Sequence, residues 1–459
     1  MFEQYKQAKD YLNSFQNYEL VSYFPYQNSI KLERMYLLLQ HLKIPYQALR
    51  AIHIAGTKGK GSTAHFLVSL LATSGFKVGL FSSPHFFDFR ERIQIIKNSK
   101  SKVKSSLISK NDLIKIVEEF RIGLGDLKIP QKLGPITFFE ILTAVTFSYF
   151  LRKGVDFVVL ETGLGGRLDS TNVISPLLSI ITHIGYDHTD KLGKKLSEIA
   201  SEKAGIIKKN VPLVCSFQPL AALKAIKDKA KREVAPFFYF TKNFEVGNIR
   251  FKKEFTYFNF KFNNFILRDL KIYLKGKHQV ENAALALAAI FLLESKGTLS
   301  KKINYKSGLR TSGLPGRFEV ISKLPLIVVD VAHNPSSFLI LGNSLKKYFP
   351  RKKIILIFAC SQDKDAKKML KAINYSYLIL SSFDSLRSKN TLELAIAGDK
   401  NVYLTKSIAE AMEQAKNKYN NKSIIVVSGS FFLVTEAKKL LQPRNKRLIK
   451  DAGFFSNYL

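Results

Sequence analysis

A chain of 459 residues, 46% of them hydrophobic, can fill two packed cores and is expected to form two or three globular units, and two cysteines in apolar stretches argue against a disulfide framework. No window approaches the roughly eighteen apolar residues of a membrane span, and the charged opening Met1–Asp10 lacks the apolar stretch of a secretory signal. A soluble, cytoplasmic protein with no membrane partner is expected. The net charge of +36, from 72 Lys and Arg against 36 Asp and Glu, raises nucleic acid as a partner, but the lysines are scattered rather than clustered. No nucleic-acid partner is therefore expected, and the charge serves to attract small anionic substrates.

In chain order, Ala51–Ala55 predicts a strand, followed by a glycine-rich turn and an apolar helix up to Ser74. Further buried strands are predicted over 77–82, 156–161 and 178–182, with a helix over Thr137–Lys153, the alternation of a parallel sheet covered on both faces. Residues 233–275 alternate Phe and Tyr with polar groups and predict a small inserted antiparallel sheet. Stacking of nucleic-acid bases on these aromatics is the less favoured reading. A helical run over 281–290 leads into a polar stretch, 296–312, expected to connect two domains, 1–295 and 313–459. In the second, strands over 325–330, 354–359, 377–381 and 423–428 predict a smaller α/β unit.

The loop Gly56-Thr57-Lys58-Gly59-Lys60-Gly61-Ser62-Thr63 lies between a strand and a helix. There backbone N–H groups and a lysine can cradle phosphates, and the Ser62 hydroxyl can reach magnesium, although a glycine between Lys60 and Ser62 departs from the usual spacing. Glu161 ends an apolar strand ahead of Thr-Gly-Leu-Gly-Gly-Arg-Leu-Asp-Ser-Thr-Asn (162–172). This is where open α/β sheets bind ligands, and its carboxylate suits magnesium. After the next strand, His188 in an acidic loop is better placed as a ligand than His183, with a structural role equally open. Lys203 by itself reads as a solvated surface lysine.

Together, Gly-Thr-Lys-Gly-Lys-Gly-Ser (56–62), Ser-Ser-Pro-His (82–85), the 161–172 segment, Asp-His-Thr-Asp-Lys-Leu-Gly (187–193) and Glu-Lys-Ala-Gly-Ile-Ile (202–207) resemble the folylpolyglutamate synthase and dihydrofolate synthase family of the Mur ligase superfamily. The likeness continues through His-Gln-Val-Glu-Asn-Ala (278–283), Pro-Gly-Arg-Phe-Glu (315–319), Asp-Val-Ala-His-Asn-Pro (330–335), Asp-Lys-Asp (363–365) and Ser-Gly-Ser-Phe (428–431). It implies an α/β fold with a P-loop-type central ATPase domain, its parallel sheet and small inserted sheet, and a Rossmann-like C-terminal domain. It also implies a ligase that uses ATP to add L-glutamate to folate, or to dihydropteroate, through an acyl phosphate.

By the same resemblance, Gly59, Lys60, Gly61, Ser62, Asn282, Arg317 and Asp330 bind ATP, while Ser83, Glu161 and His188 hold magnesium, two ions in all. Lys203 and His333 are catalytic, Lys203 as a carbamylated lysine. Thr137, Phe138, Phe139, Glu140, Leu168, Asp169 and Ser170 face the folate or pteroate. With Asp330 and His333 in the second domain, the site is expected in the cleft between domains, and because a cleft within one chain needs no partner, a monomer is expected. Ser29-Ile30-Lys31 stands where bifunctional members often have an acidic residue and a glycine, which argues against dihydropteroate. The competing readings are another Mur-type amide ligase, for whose UDP-sugar domain the fifty or so residues before Ala51 are too few, and a basic nucleic-acid-binding ATPase.

Overall fold

The computed structural model describes residues 2–21, 24–99, 102–252, 254–310, 314–384, 388–394 and 401–441. The end of the expected connection (311–312), position 313 and the expected end of the second domain at 459 lie outside them. Strand β1 (Ala51–Ala55), apolar except for His53, is buried throughout, as the middle of a sheet covered on both faces requires. It is joined by β2 (Val78–Phe81), β3 (Ile93–Ser99), β4 (Lys102–Leu107), β5 (Phe157–Glu161), β6 (Leu178–Ile181), β7 (Leu213–Cys215) and β8 (Phe237–Tyr239) in the order β4-β3-β2-β5-β1-β6-β7-β8.

The run from β2 to β8 is parallel, as expected, whereas β3 and β4 add an antiparallel edge. A hairpin needs no helical crossover, so it leaves no strand–helix alternation in the sequence. The helices Lys60–Thr73 and Lys277–Ser295 show almost no polar face, because each is buried on several sides: they pack on one another and on the sheet. On the opposite face, helix Phe138–Lys153 starts at a capping box, with Thr137 and Glu140 bonding each other's backbone N–H, and ends at Gly154 in the left-handed region. Glu140 also pairs with Arg34 at 2.7 Å, both fully buried, which fastens the N-terminal helix Leu32–His41 to this layer.

The aromatic segment forms β9 (Phe244–Phe251), β10 (Thr256–Phe262) and β11 (Phe265–Ile272), an antiparallel sheet. Phe258, Phe260 and Phe262 point into the core, where the Phe262 ring packs at a tilt against Phe291 with centroids 4.7 Å apart, while Tyr257, Asn259 and Lys261 alternate outward. The inward rings are therefore core residues.

Within the stretch expected as a connection, Tyr305–Arg310 is a helix that packs on Lys60–Thr73, and Ser69 Oγ donates to Gly308 O at 2.6 Å. A Cβ on Gly308 would lie 2.7 Å from Leu70 Cα, so the absent side chain is what permits this close approach. Beyond it lie β12 (Glu319–Lys323), β13 (Leu326–Asp330), β14 (Lys353–Phe358), β15 (Tyr377–Leu380), β16 (Val402–Leu404) and β17 (Ser423–Ser428), ordered β12-β13-β17-β14-β15-β16. All pairs are parallel except the edge strand β12 with β13. This C-terminal body has its own cores on the two sheet faces. Among the described residues no helix is long and apolar enough to cross a membrane.

Candidate active site

Four adjacent parallel strands, β2, β5, β1 and β6, all end at one edge of the central sheet. Register brings Ile54 beside Glu161 and Ala55 beside Ile181, so the loops that follow β1, β5 and β6 meet there, as does the Ser82–His85 segment after β2. Across from them, β13 and β14 both end beside Ser428 of β17, which gathers the loops bearing Asp330, Lys364 and Ser430. Between the two edges lies a cavity of about 320 Å³. It is lined by Gly59, Lys60, Gly61 and Ser62, by Ser83, Glu161 and His188, by Lys203, and by Asn282, Arg317, Asp330 and His333.

Gly59 has φ +88°, and a Cβ there would fall 2.2 Å from Asn282 Oδ1, so the Gly56–Thr63 loop can close on the helix Lys277–Ser295 only with glycine at this position. Lys60 Nζ lies 3.2 Å from Gly56 O and 3.9 Å from Glu161 Oε1. Burial pushes the Glu161 carboxyl above its usual range, and Lys60, Arg317 and the Ser83 N–H only partly offset this. Asp330 is likewise raised by burial, partly offset by Arg317, and it anchors its own loop by accepting Phe318 N–H and Ala332 N–H at 2.8 Å each.

Lys203 is not the solvated lysine that its residue type suggests: it is 5% exposed, and burial, with Lys60 nearby, lowers its amine to about 7. His188, in the left-handed region at the start of a short helix, is kept neutral by burial, with a pKa of about 3. His183 lies outside this cavity's lining and holds Phe217 O at 3.0 Å.

Asp187 joins the two bodies. Its carboxylate is 3.0 Å from Lys364 Nζ and 3.5 Å from His333 Nε2, both from the C-terminal side. Burial would raise this carboxyl, but the His333 contact and the Lys364 ammonium prevail and hold it well below the usual range. His333 Nδ1 lies 3.0 Å from Val331 O, which leaves Nε2 facing Asp187. Lys58 adds a second bridge, to Ser336. Neither Asp187 nor Lys364 was singled out from the sequence, because a pair 177 residues apart leaves no spacing signal. The only hint was that both fall within recognised motif segments.

The residues expected to face folate do not line this cavity. Thr137 and Glu140 are engaged in the capping box, and Glu140 also in the Arg34 pair. Asp169 accepts N–H groups from Gly163, Leu164 and Thr171 together with the Thr171 hydroxyl, thereby shaping the 163–171 loop. Phe138 and Ser170 are buried, while Phe139 and Leu168 are half-buried. Phe139 packs under Gly163, which itself lines the cavity, so Phe139 and Asp169 back the glycine loop from behind, with Thr137 and Glu140 at the start of the same helix as Phe139.

As a magnesium site, Ser83, Glu161 and His188 offer a hydroxyl, a buried carboxylate short of positive charge, and a neutral imidazole. Among the described residues no three His, Cys, Asp or Glu side chains gather closely enough to hold a metal alone.

The family model described as Mur ligase middle domain matches residues 54–290, and that described as Mur ligase, glutamate ligase domain matches 316–431. The dihydrofolate synthase/folylpolyglutamate synthase of Bacillus subtilis (strain 168) is 35% identical over 416 residues, covering 90% of this chain and 95% of that protein. The folylpolyglutamate synthase of Lacticaseibacillus casei is 34% identical over 75% of this chain and 80% of its own length. The structure of Mycobacterium tuberculosis folylpolyglutamate synthase complexed with ADP and AMPPCP superposes with a TM-score of 0.84, at 26% identity, over 96% of this chain and 99% of that one. With its motif segments gathered at one cleft, a family model matching more than half of it and a relative matching across 90% of its length, the chain belongs to the folylpolyglutamate synthase/dihydrofolate synthase family of Mur ligases.

Proposed function

We propose that this chain is a cytoplasmic, monomeric ligase of 1–295 and 313–459 domains joined through 296–312, which uses ATP to add L-glutamate to the carboxylate of a folate. The observation that carries this reading is the single cleft lined by the phosphate loop, Glu161 and Lys203 on one side and Arg317, Asp330 and His333 on the other. Gly59 to Ser62 hold the ATP phosphates, and Lys60 neutralises them as the terminal phosphoryl group passes to the folate carboxylate. This gives an acyl phosphate and ADP. The amine of glutamate then attacks the acyl carbon, phosphate leaves, and the amine gives up a proton. A proton on His333 Nε2 would lie against the Asp187 carboxylate, which makes this pair the group that holds it.

Magnesium held by Ser83, Glu161 and His188 supplies positive charge at the phosphates. Lys203 is proposed to be carbamylated: at a pKa of about 7 much of its amine is uncharged near neutral pH, the form that attacks carbon dioxide. The carbamate replaces a buried cation beside Lys60 with an anion. Phe139 and Leu168, half-buried and outside the cavity lining, are the members of their set left with surface for a flat pterin ring.

ADP release with Mg-ATP, L-glutamate and either tetrahydrofolate or dihydropteroate tests the proposal. Turnover with tetrahydrofolate supports it, and turnover with dihydropteroate as well makes the enzyme bifunctional. ATP binding with turnover on neither would overturn the folate assignment.

A further inference from the structure

The loop that carries Ser83 reaches into the other body. Phe86, three residues on, packs with the C-terminal core, its ring stacked on Phe431 with centroids 4.3 Å apart. Lys438 Nζ lies 5.1 Å above the Phe86 ring and is held there by Glu319 at 2.7 Å. The same Glu319 carboxylate accepts Gly316 N–H at 2.6 Å. Gly316 has φ +70°, and a Cβ on it would fall 2.8 Å from Phe86 Cζ, so the seat of the ring is shaped by a residue without a side chain. Gly316 precedes Arg317, and both Arg317 and Phe431 line the cavity.

At its other end the loop is stiff. Glu91 accepts the N–H groups of Phe86, Phe87 and Asp88 at 2.8, 2.9 and 3.1 Å. Ser82 N–H donates to Arg92 O at 3.1 Å, and buried Arg92 grips Glu19 through two bonds of 2.8 and 2.6 Å while its Nε lies 3.0 Å from His85 Nδ1. The Ser83 N–H in turn reaches the Glu161 carboxylate. A short, internally braced segment thus has one end seated in the C-terminal body and the other on Glu161. A displacement at one end cannot be absorbed by slack in between.

We propose that Phe86 is a positioning residue: its seat in the C-terminal body couples docking of that body to the placement of Ser83 and Glu161 at the ATP–magnesium site, an inference that rests on the function proposed above. An ordinary packing contact would cost stability alone, whereas coupling changes how the protein uses magnesium. The comparison is Lys347, whose ammonium lies 3.3 Å from the Phe251 ring centre and joins the two bodies elsewhere, with no link to Ser83.

The test measures, by calorimetry, the magnesium concentration that half-saturates binding of a non-hydrolysable ATP analogue. It is run alongside amide exchange across Ser83–Arg92, for wild type, Phe86→Ala, Phe86→Leu and Lys347→Met. Phe86→Ala is expected to need about fivefold more magnesium, within the range of coupling between contacting residues, and to exchange faster across the loop. Phe86→Leu, which refills the seat, should return to within about twofold of wild type and keeps the test open if the alanine variant folds poorly. Lys347→Met should leave the magnesium requirement unchanged.

An unchanged requirement in Phe86→Ala, or an equal shift in Lys347→Met, would overturn the proposal. If wild-type binding ignored magnesium, the metal assignment would fall and the magnesium half of the inference with it. Equal loop exchange in wild type and Phe86→Ala would overturn the coupling alone.

Discussion

The lining of the cleft and the wall behind the glycine loop both hold buried polar side chains, but the lining leaves some of them short of a partner. In the wall, Glu140, Thr137 and Asp169 are saturated by partners within the chain. In the lining, Glu161 has its nearest cation 3.9 Å away and Lys203 is a buried amine at about 7. A group available to a ligand is one the fold has left short of a partner, at a cost to stability; a satisfied group supports the frame.

The sharpest way to break this contrast is to exchange the two kinds of loss. Glu161→Gln should lower kcat for ADP release by about a hundredfold or more while leaving the melting temperature unchanged or higher, since a strained buried carboxylate is removed. A melting temperature that fell with activity would erase the distinction. Arg34→Met, in the wall, should instead cost roughly 3–5 kcal/mol in denaturant unfolding, because it strands Glu140 as an unpaired buried carboxylate. The Arg34→Met/Glu140→Leu double variant should recover much of that loss; failure to do so would point to packing rather than charge.

Protonation offers a finer cut. His53 and His65 are buried neutral, with pKa values of about 3 and 4, against an ordinary value near 6.5. Between pH 4 and 6.5 or so the unfolded chain binds protons that the folded chain refuses, so stability should rise with pH through that window and be lost on acidification. Melting curves flat from pH 7 down to about 5 would contradict this burial effect. For Lys203 the folded value lies below the unfolded one near 10.4, so it opposes folding less as pH rises from about 7. With labelled bicarbonate, a carbamate signal should be present in wild type, strengthen over the same rise, and vanish in Lys203→Ala. The smallest expected effect is Thr137→Ala, about 1 kcal/mol of stability from a lost helix cap, with KM for folate unchanged if Thr137 only caps.

Much of the frame was legible locally. The apolar run Ala51–Ala55 with its glycine turn, the alternating stretch Thr256–Phe262 of β10, and the four C-terminal strands all carry their structure in residue spacing. The hairpin β3–β4 was missed because its residues give no strand–helix alternation. The helix Tyr305–Arg310 was missed because its short, polar sequence becomes a helix against Leu70 through Gly308.

By itself the sequence determined that β1, β5 and β6 are buried strands followed by glycine-rich or acidic loops, and which family its ordered motifs resemble. Tertiary structure alone decided that Lys203 is a buried amine rather than a surface cation. It likewise decided that Asp187 meets Lys364 and His333 across the cleft, and that Phe86 is seated in a body whose residues lie more than 200 positions away in the chain. The reason is physical. Periodicity records which face of an element is dry, but the charge a group feels depends on neighbours brought together from distant positions, and no local pattern encodes those.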